Sequence, residues 1–390
     1  MLKIYSLFFF LSISLCGFSQ NMQEGFTYLE TGKYNEAANF FTEVLKEFPN
    51  NKTARLCYGR AIGLAGNSNK AVQLFTELLH DYPTDFEVKL NYAESLLWKK
   101  KYNAAKLYYE KILAENDQSF AALLGYANTL SNLKIYNEAL IYVNKALKVS
   151  PGNPNALVSK KYIHLGYAGT YVTDQKYDKA IALLKENFEF FENDRETLLN
   201  LANIYLMSNN FEGAKSTYEN LATSAKDSIV SLNGLSLAYH LKGKEKEALV
   251  ISKKAVNAIE KIDDKELQNR TDERYVQALI WNRKYKEAHT NIYRLLKKHP
   301  NTNWVLSLQA TLNIYKSNFK ESILNYHRIL KNKKSSFDGN LGMANALKAY
   351  GLPKYAYEYA EKTLKSIPKT GNENIPDFEP PRLSNMERKL

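Results

Sequence analysis

Residues 25–49 read GFTYLETGKYNEAANFFTEVLKEFP, and the spacing of their small, aromatic and turn-forming residues decides the fold. Gly25, Gly32-Lys33-Tyr34, Ala37, Phe41 and Pro49 return one period later as Gly59, Gly66, Ala71, Phe75 and Pro83. The beat continues as Ala93, Tyr102, Ala105 and Tyr109, then as Ala127, Tyr136, Ala139 and Pro151. A period of about 34 residues with two apolar, helix-length stretches marks a helical-hairpin solenoid. Such a unit cannot bury its own apolar face and must stack on neighbours, which makes binding the default expectation for its function.

Ten units follow from this register, starting near Phe18, Lys52, Phe86, Phe120, Lys161, Arg195, Ile229, Asn269, Asn303 and Phe337. Two intervals are longer than the rest. The extra residues near Asn155 to Lys161 amount to about two helical turns, so they lengthen a helix without turning its face. The polar insert from Asp263 to Gln268 reads as a longer loop or an extra helical turn. The eighth position is small in eight of the units (Gly25, Gly59, Ala93, Ala127, Ala168, Ala202, Ala310, Ala344). The twentieth is alanine from Ala37 through Ala356, with Ser322 the one departure. Two antiparallel helices approach closely only where small side chains occupy the crossing. Aromatics at the twenty-fourth position (Phe41, Phe75, Tyr109, Tyr218, Tyr326) fill the space towards the next unit. Pro49, Pro83, Pro151, Pro300 and Pro368 end second helices, and Gly32, Gly66, Gly243 and Gly351 sit in the turns.

These positions together resemble the tetratricopeptide repeat (TPR) family over roughly residues 18 to 368. The resemblance implies an all-α fold, a right-handed superhelical solenoid of about ten TPR hairpins spanning 20–368. The fourth position never carries the tryptophan common in the family, and the eighth unit is loose, with Val276 and Ile292 at the small and aromatic positions.

The flanks differ in character. Lys3, an apolar run from Ile4 to Leu15, and small residues Gly17 and Ser19 have the layout of a secretory signal peptide over residues 1–19. The run is shorter than the roughly 20 apolar residues that cross a bilayer. Cys16 raises lipidation as an alternative, although Leu15 is bulky where such signals want a small residue. Cys57 then remains as the one thiol of the mature chain, with no internal disulfide open to it. Residues 369–390 read as an irregular polar tail, which leaves Tyr355, Tyr357 and Tyr359 of the last second helix to be covered by that tail or by a partner.

The net charge of +12 is unevenly spread. Residues 242–348 carry twice as many Lys and Arg as Asp and Glu, whereas residues 1–241 are balanced. Lys242, Lys244, Lys246, Lys253, Lys254, Arg283, Lys284, Lys286, Arg294, Lys297 and Lys298 fall in turns and second helices, on the convex side or rim. They form either a solvated face or a docking stripe for an anionic glycan or membrane surface. An exported chain meets no chromosomal nucleic acid, so nucleic acid is not an expected partner.

No catalytic pattern emerges. His80, His164, His240, His289, His299 and His327 share no metal-ligand spacing, and no phosphate loop, nucleophile elbow or zinc-type Cys pair occurs. Neither an enzyme nor a cofactor is expected. The TPR resemblance instead implies a groove lined by first helices. Its ninth positions are Arg60, Glu94, Asn128, Asn203, Gln277 and Asn345. Its thirteenth are Trp98, Asn132, Met207, Trp281 and Tyr315, with His240 at a twelfth and Trp304 at a second. Amides donate and accept, and tryptophan offers a flat apolar face, so the list suits a peptide backbone or a sugar. Trp281, Trp304 and Tyr315 form one platform, or each tryptophan merely packs between neighbouring first helices. Leu124 and Leu199 stand where a carboxylate clamp needs lysine. The resulting expectation is a non-enzymatic scaffold exported to the periplasm or outer-membrane periphery, holding protein partners. The alternative is a polysaccharide-binding or export component working with a separate outer-membrane pore.

Overall fold

The structure is a computed structural model that describes residues 22–300, 302–333 and 336–366. The signal peptide and polar-tail readings, at 1–19 and 369–390, lie outside the described residues, as does Pro368. The helices pair as hairpins: α1 (22–30) with α2 (Tyr34–Glu47), α3 (Lys52–Leu64) with α4 (Ser68–Asp81), and α5 (Phe86–Trp98) with α6 (Tyr102–Glu115). Next come α7 (Phe120–Asn132) with α8 (Tyr136–Val149), α9 (Pro154–Thr173) with α10 (Tyr177–Lys185), and α11 (Arg195–Met207) with α12 (Phe211–Leu221). The array continues with α13 (Ala225–Leu241) and α14 (Glu245–Ile259), α15 (Lys265–Trp281) and α16 (Tyr285–Lys298), α17 (Asn303–Tyr315) and α18 (Phe319–Asn332), and α19 (Phe337–Ala349) and α20 (Pro353–Ser366). The described residues contain no strand. The chain divides into two compact units, Met1–Tyr167 and Ala168–Leu390, with the boundary inside α9.

The hairpin register follows the sequence period, and the inserts explain where helices start early. α9 runs for 20 residues where α7 has 13, so the extra stretch is helix added at its N-terminus, from Pro154 rather than Lys161. α13 and α15, each of 17 residues, likewise begin one turn before the expected Ile229 and Asn269. The Asp263–Gln268 insert is therefore mostly an extra helical turn. The second helix of the fifth unit is short: α10 passes into a 3-10 turn, Glu186–Glu189.

One backbone feature recurs in all ten units. The fifteenth position always has positive φ: 76–97° at Gly32, Gly66, Gly243 and Gly351, and 58–64° at Lys100, Lys134, Gln175, Asn209, Arg283 and Ser317. The next amide reaches back five residues, as Lys33 N–H to Tyr28 O and Lys101 N–H to Leu96 O do at 2.8 and 2.9 Å. This is the left-handed helix stop that satisfies the last carbonyls.

Packing repeats with equal regularity. Each crossing residue from Ala37 to Ala288 is fully buried, and Ser322 is too. In the eighth unit Val276 is larger than alanine while Ile292 is smaller than an aromatic ring. Both lie in one cluster with Leu279 and Leu295, so the volume is conserved across the contact. Substituting leucine for Ala139 or Ala214 is expected to destabilise by about 1–3 kcal/mol, because a fully buried crossing has no room for added carbons. Thermal melts check this, and unchanged midpoints at both sites would contradict the packing.

Acidic caps tie successive first helices together. Asp85 accepts from Val88 N–H at 3.0 Å, capping α5, and also from Lys52 of α3 at 2.6 Å. Asp264 caps α15 through Leu267 N–H and takes Lys226 of α13, both at 3.0 Å. The Lys52 bond and the Val88 amide hold the Asp85 carboxyl below the usual carboxylate range, and the Leu267 amide and Lys226 do the same for Asp264. A depressed folded pKa adds stability that is present above the unfolded carboxylate pKa, about 3.9, and disappears as pH falls through the folded value. The melting temperature should therefore hold from neutral pH down to about 5 and then drop. Asp85→Asn with Asp264→Asn should lower the neutral value and shrink that drop. An equal acid drop in the double variant would remove these carboxylates from the effect.

Candidate partner-binding face

First helices touch one another from α3 through α5 to α7 in one compact unit, and from α13 through α15 and α17 to α19 in the other. Among the described residues, second helices make no comparable contact with one another. These first helices form a layer within each unit, and the side chains they turn away from the second helices make the candidate face.

In the first unit that face carries Arg60, Glu94 and Asn128 on three successive helices. Arg60 is exposed, and Glu94 and Asn128 are half-buried. Loss of solvent pushes the Glu94 carboxyl above its usual range, and the Arg60 charge only partly opposes this. Asn132 donates from Nδ2 to the Asn128 carbonyl at 2.8 Å, so part of its capacity is spent on its own helix. Trp98 ends α5 with its ring laid on Gly63 of α3, where an added Cβ would come within 2.2 Å of the indole. The indole is half-buried and joins the Phe75–Leu78 cluster.

In the second unit Trp281, Trp304 and Tyr315 do not form one platform, and of the two readings the geometry follows the packing one for the tryptophans. Trp281 is 7% exposed and lies under His240, whose ring stacks on it at 3.7 Å and 5°. His240 is itself buried, with Nδ1 2.6 Å from Glu245 Oε2. The Arg274 guanidinium lies 5.8 Å from the Trp281 ring centre and donates to Gln277 Oε1 at 2.8 Å. The physical reason is area: an indole has the most apolar surface to hide, and the histidine ring on the adjacent first helix supplies a flat cover. Trp304 is half-buried within the Val305–Leu308 cluster and tilts against His299, with centroids 5.7 Å apart. Of the three platform residues only Tyr315, at 41%, is exposed. Asn203 accepts from the Tyr218 hydroxyl at 3.1 Å, and Asn345 is half-buried on α19.

Glu245 and Arg274 escaped the sequence reading. The signal was present, since His240 and Trp281 end adjacent first helices and Arg274 sits one turn before Gln277 and two before Trp281. Pairing them needs the inter-helix distance, which spacing alone does not supply. Buried Cys57 has its thiol pushed up to about 11 by desolvation, and is protonated at neutral pH as an inert core residue should be. Among the described residues no group of three or more His, Cys, Asp or Glu is placed to hold a metal ion. No helix among them is long and apolar enough to cross a membrane.

Sequence profiles of the tetratricopeptide repeat match residues 23–86 and 196–228. The chain is a tetratricopeptide repeat protein. The profile matches fall on the hairpins α1–α4 and α11–α12, and the other TPR units keep the same left-handed turn position and a small residue at the crossing. No curated protein matches this TPR protein by sequence. Among solved structures, the apo form of RapI aligns over 89% of this chain and 96% of its own, at 14% identity and a TM-score of 0.53, a likeness of fold alone. A tetratricopeptide repeat protein from Parabacteroides merdae ATCC 43184 covers 65% of this chain and 98% of its own, at 16% identity and a TM-score of 0.41. Yeast Tom70 covers 89% and 93% respectively, at 12% identity and a TM-score of 0.45.

Proposed function

We propose that this TPR protein is an exported, non-enzymatic scaffold that holds a protein partner against its first-helix layer. The observation that supports the reading is that layer itself. It runs from α3 to α7 in one unit and from α13 to α19 in the other, and side chains that no core requires recur on it, among them Asn128, Gln277, Tyr315 and Asn345. Half-buried amides beside aromatic edges suit an extended or helical segment whose backbone needs donors and acceptors. Export rests on the sequence of residues 1–19, and the periplasm or outer-membrane periphery is the compartment it points to.

Crosslinking and mass spectrometry on intact cells should recover one stoichiometric protein partner. Tyr315→Ala with Asn345→Ala, on contacting helices α17 and α19, should reduce its capture by about tenfold, the loss of roughly 1.4 kcal/mol. Recovery of polysaccharide with no protein would replace this reading with the glycan one. N-terminal sequencing of the cellular protein should find Gln20 first, and a chain retaining Met1 would refute export.

A further inference from the structure

The second helices of the second unit carry a pattern that the groove does not use. α14, α16 and α18 each pack inward through their buried residues and turn one face to solvent. On α14 that face holds Lys246, Val250 and Lys254, at helical spacings of four. The solvent face of α16 holds Lys286, Tyr293 and Lys297, with the tyrosine about one turn beyond the position equivalent to Val250, and that of α18 holds Lys320, Leu324, Arg328 and Lys331. Val250 and Tyr293 are each 56% exposed and Leu324 is 50% exposed. One large apolar side chain therefore stands in the middle of each helix, flanked by cations above and below.

Most of these cations are not neutralised. Lys246, Lys254, Lys286, Lys297, Arg328 and Lys331 form no ion pair with a carboxylate among the described residues. Glu247, Glu287 and Glu321 stand one residue further round each helix, and Lys284 takes Glu287 at 3.0 Å. Arg294 is occupied by Asp272. Lys297 instead lies over the Tyr293 ring, 4.6 Å from its centre, so its charge sits beside an exposed aromatic face.

We propose that this face docks on an anionic lipid surface. Cations arrayed round exposed aliphatic and aromatic residues are what a charged headgroup layer with an apolar interior recognises. A soluble polyanion would use the charges alone and leave Val250, Tyr293 and Leu324 without a role. The proposal is independent of the groove reading, since it involves the opposite members of the hairpins.

The test is co-sedimentation of the full chain with vesicles of phosphatidylcholine alone or with 30% phosphatidylglycerol. Binding is expected only with the anionic lipid and should weaken about tenfold between low and physiological salt. Two triple variants separate the sources of binding: Lys254→Glu, Lys297→Glu, Lys331→Glu, and Val250→Ser, Tyr293→Ser, Leu324→Ser. All six positions are exposed, and a helical melt confirms folding. Each triple should lose about tenfold or more in partitioning. Comparing variants cancels any contribution from the apolar residues 4–15. Failure to bind anionic vesicles, or unchanged binding by either triple, overturns the proposal. Unchanged binding by the serine triple, with loss of binding to heparin only in the charge triple, would mean a soluble polyanion.

Discussion

Phe75→Ala is expected to cost about 3–5 kcal/mol, because it empties a fully buried ring site. The ring is fully buried among Leu56, Leu78 and Val88, and it lies on Gly59 of the preceding first helix. A Cβ built at Gly59 would stand 2.5 Å from the ring tip, so the two residues are halves of one contact. The reciprocal change, Gly59→Leu, should destabilise strongly because the ring cannot retreat from a filled core. The double variant should lose less than the two singles combined, since leucine refills the space the ring leaves. Urea unfolding followed by circular dichroism measures all three. A double variant at least as unstable as the sum would show that ring and glycine do not share that space.

The second large effect runs in the stabilising direction. Lys100, Gln175, Arg283 and Ser317 hold left-handed backbone at the hairpin turn, where four sibling units use glycine. For an L residue that conformation costs roughly 1–2 kcal/mol, and glycine returns part of the gain through its looser unfolded chain. Each change to glycine should therefore add about 0.5–1 kcal/mol, and four separate turns together about 2–4 kcal/mol. Lys134 is left out because its Nζ is buried, and Asn209 because asparagine tolerates the conformation. The measurement is the unfolding midpoint of the quadruple variant. A midpoint that stays put or falls would mean that the native side chains make turn contacts outweighing the backbone strain. In the same sense, Ser322→Ala should be neutral to stabilising by about 1 kcal/mol, because the buried Oγ has no hydrogen-bond partner among the described residues.

Much of the fold was legible because a repeat writes each rule many times over. A single Gly32 or Ala37 says little. Ten turns at one register position and a run of buried alanines at another identify the hairpin, its crossing and its stop together. The missed details share a cause. The early starts of α9, α13 and α15 lie N-terminal to the repeat motif, where no period constrains the reading and an N-cap such as Ser224 or Asp264 decides the first turn. Gly125, Gly234 and Gly342 share the sixth position of their units, each beneath the tyrosine ring of the preceding second helix. That pairing was present in the residues and needed only the inter-unit distance to be seen.

What the order of residues determined alone is the set of local choices: helix pairing, crossing size, turn position and the sign of the surface charge. These depend on neighbours three to twenty positions away, within one hairpin, so a period exposes them. Which side chains remain open to a partner was decided only by tertiary structure. Trp281 occupies the register of a groove residue, yet His240, more than one repeat earlier, arrives to cover it. Burial of a large ring is settled by whatever lies across the next helix, and no spacing within one unit contains that information.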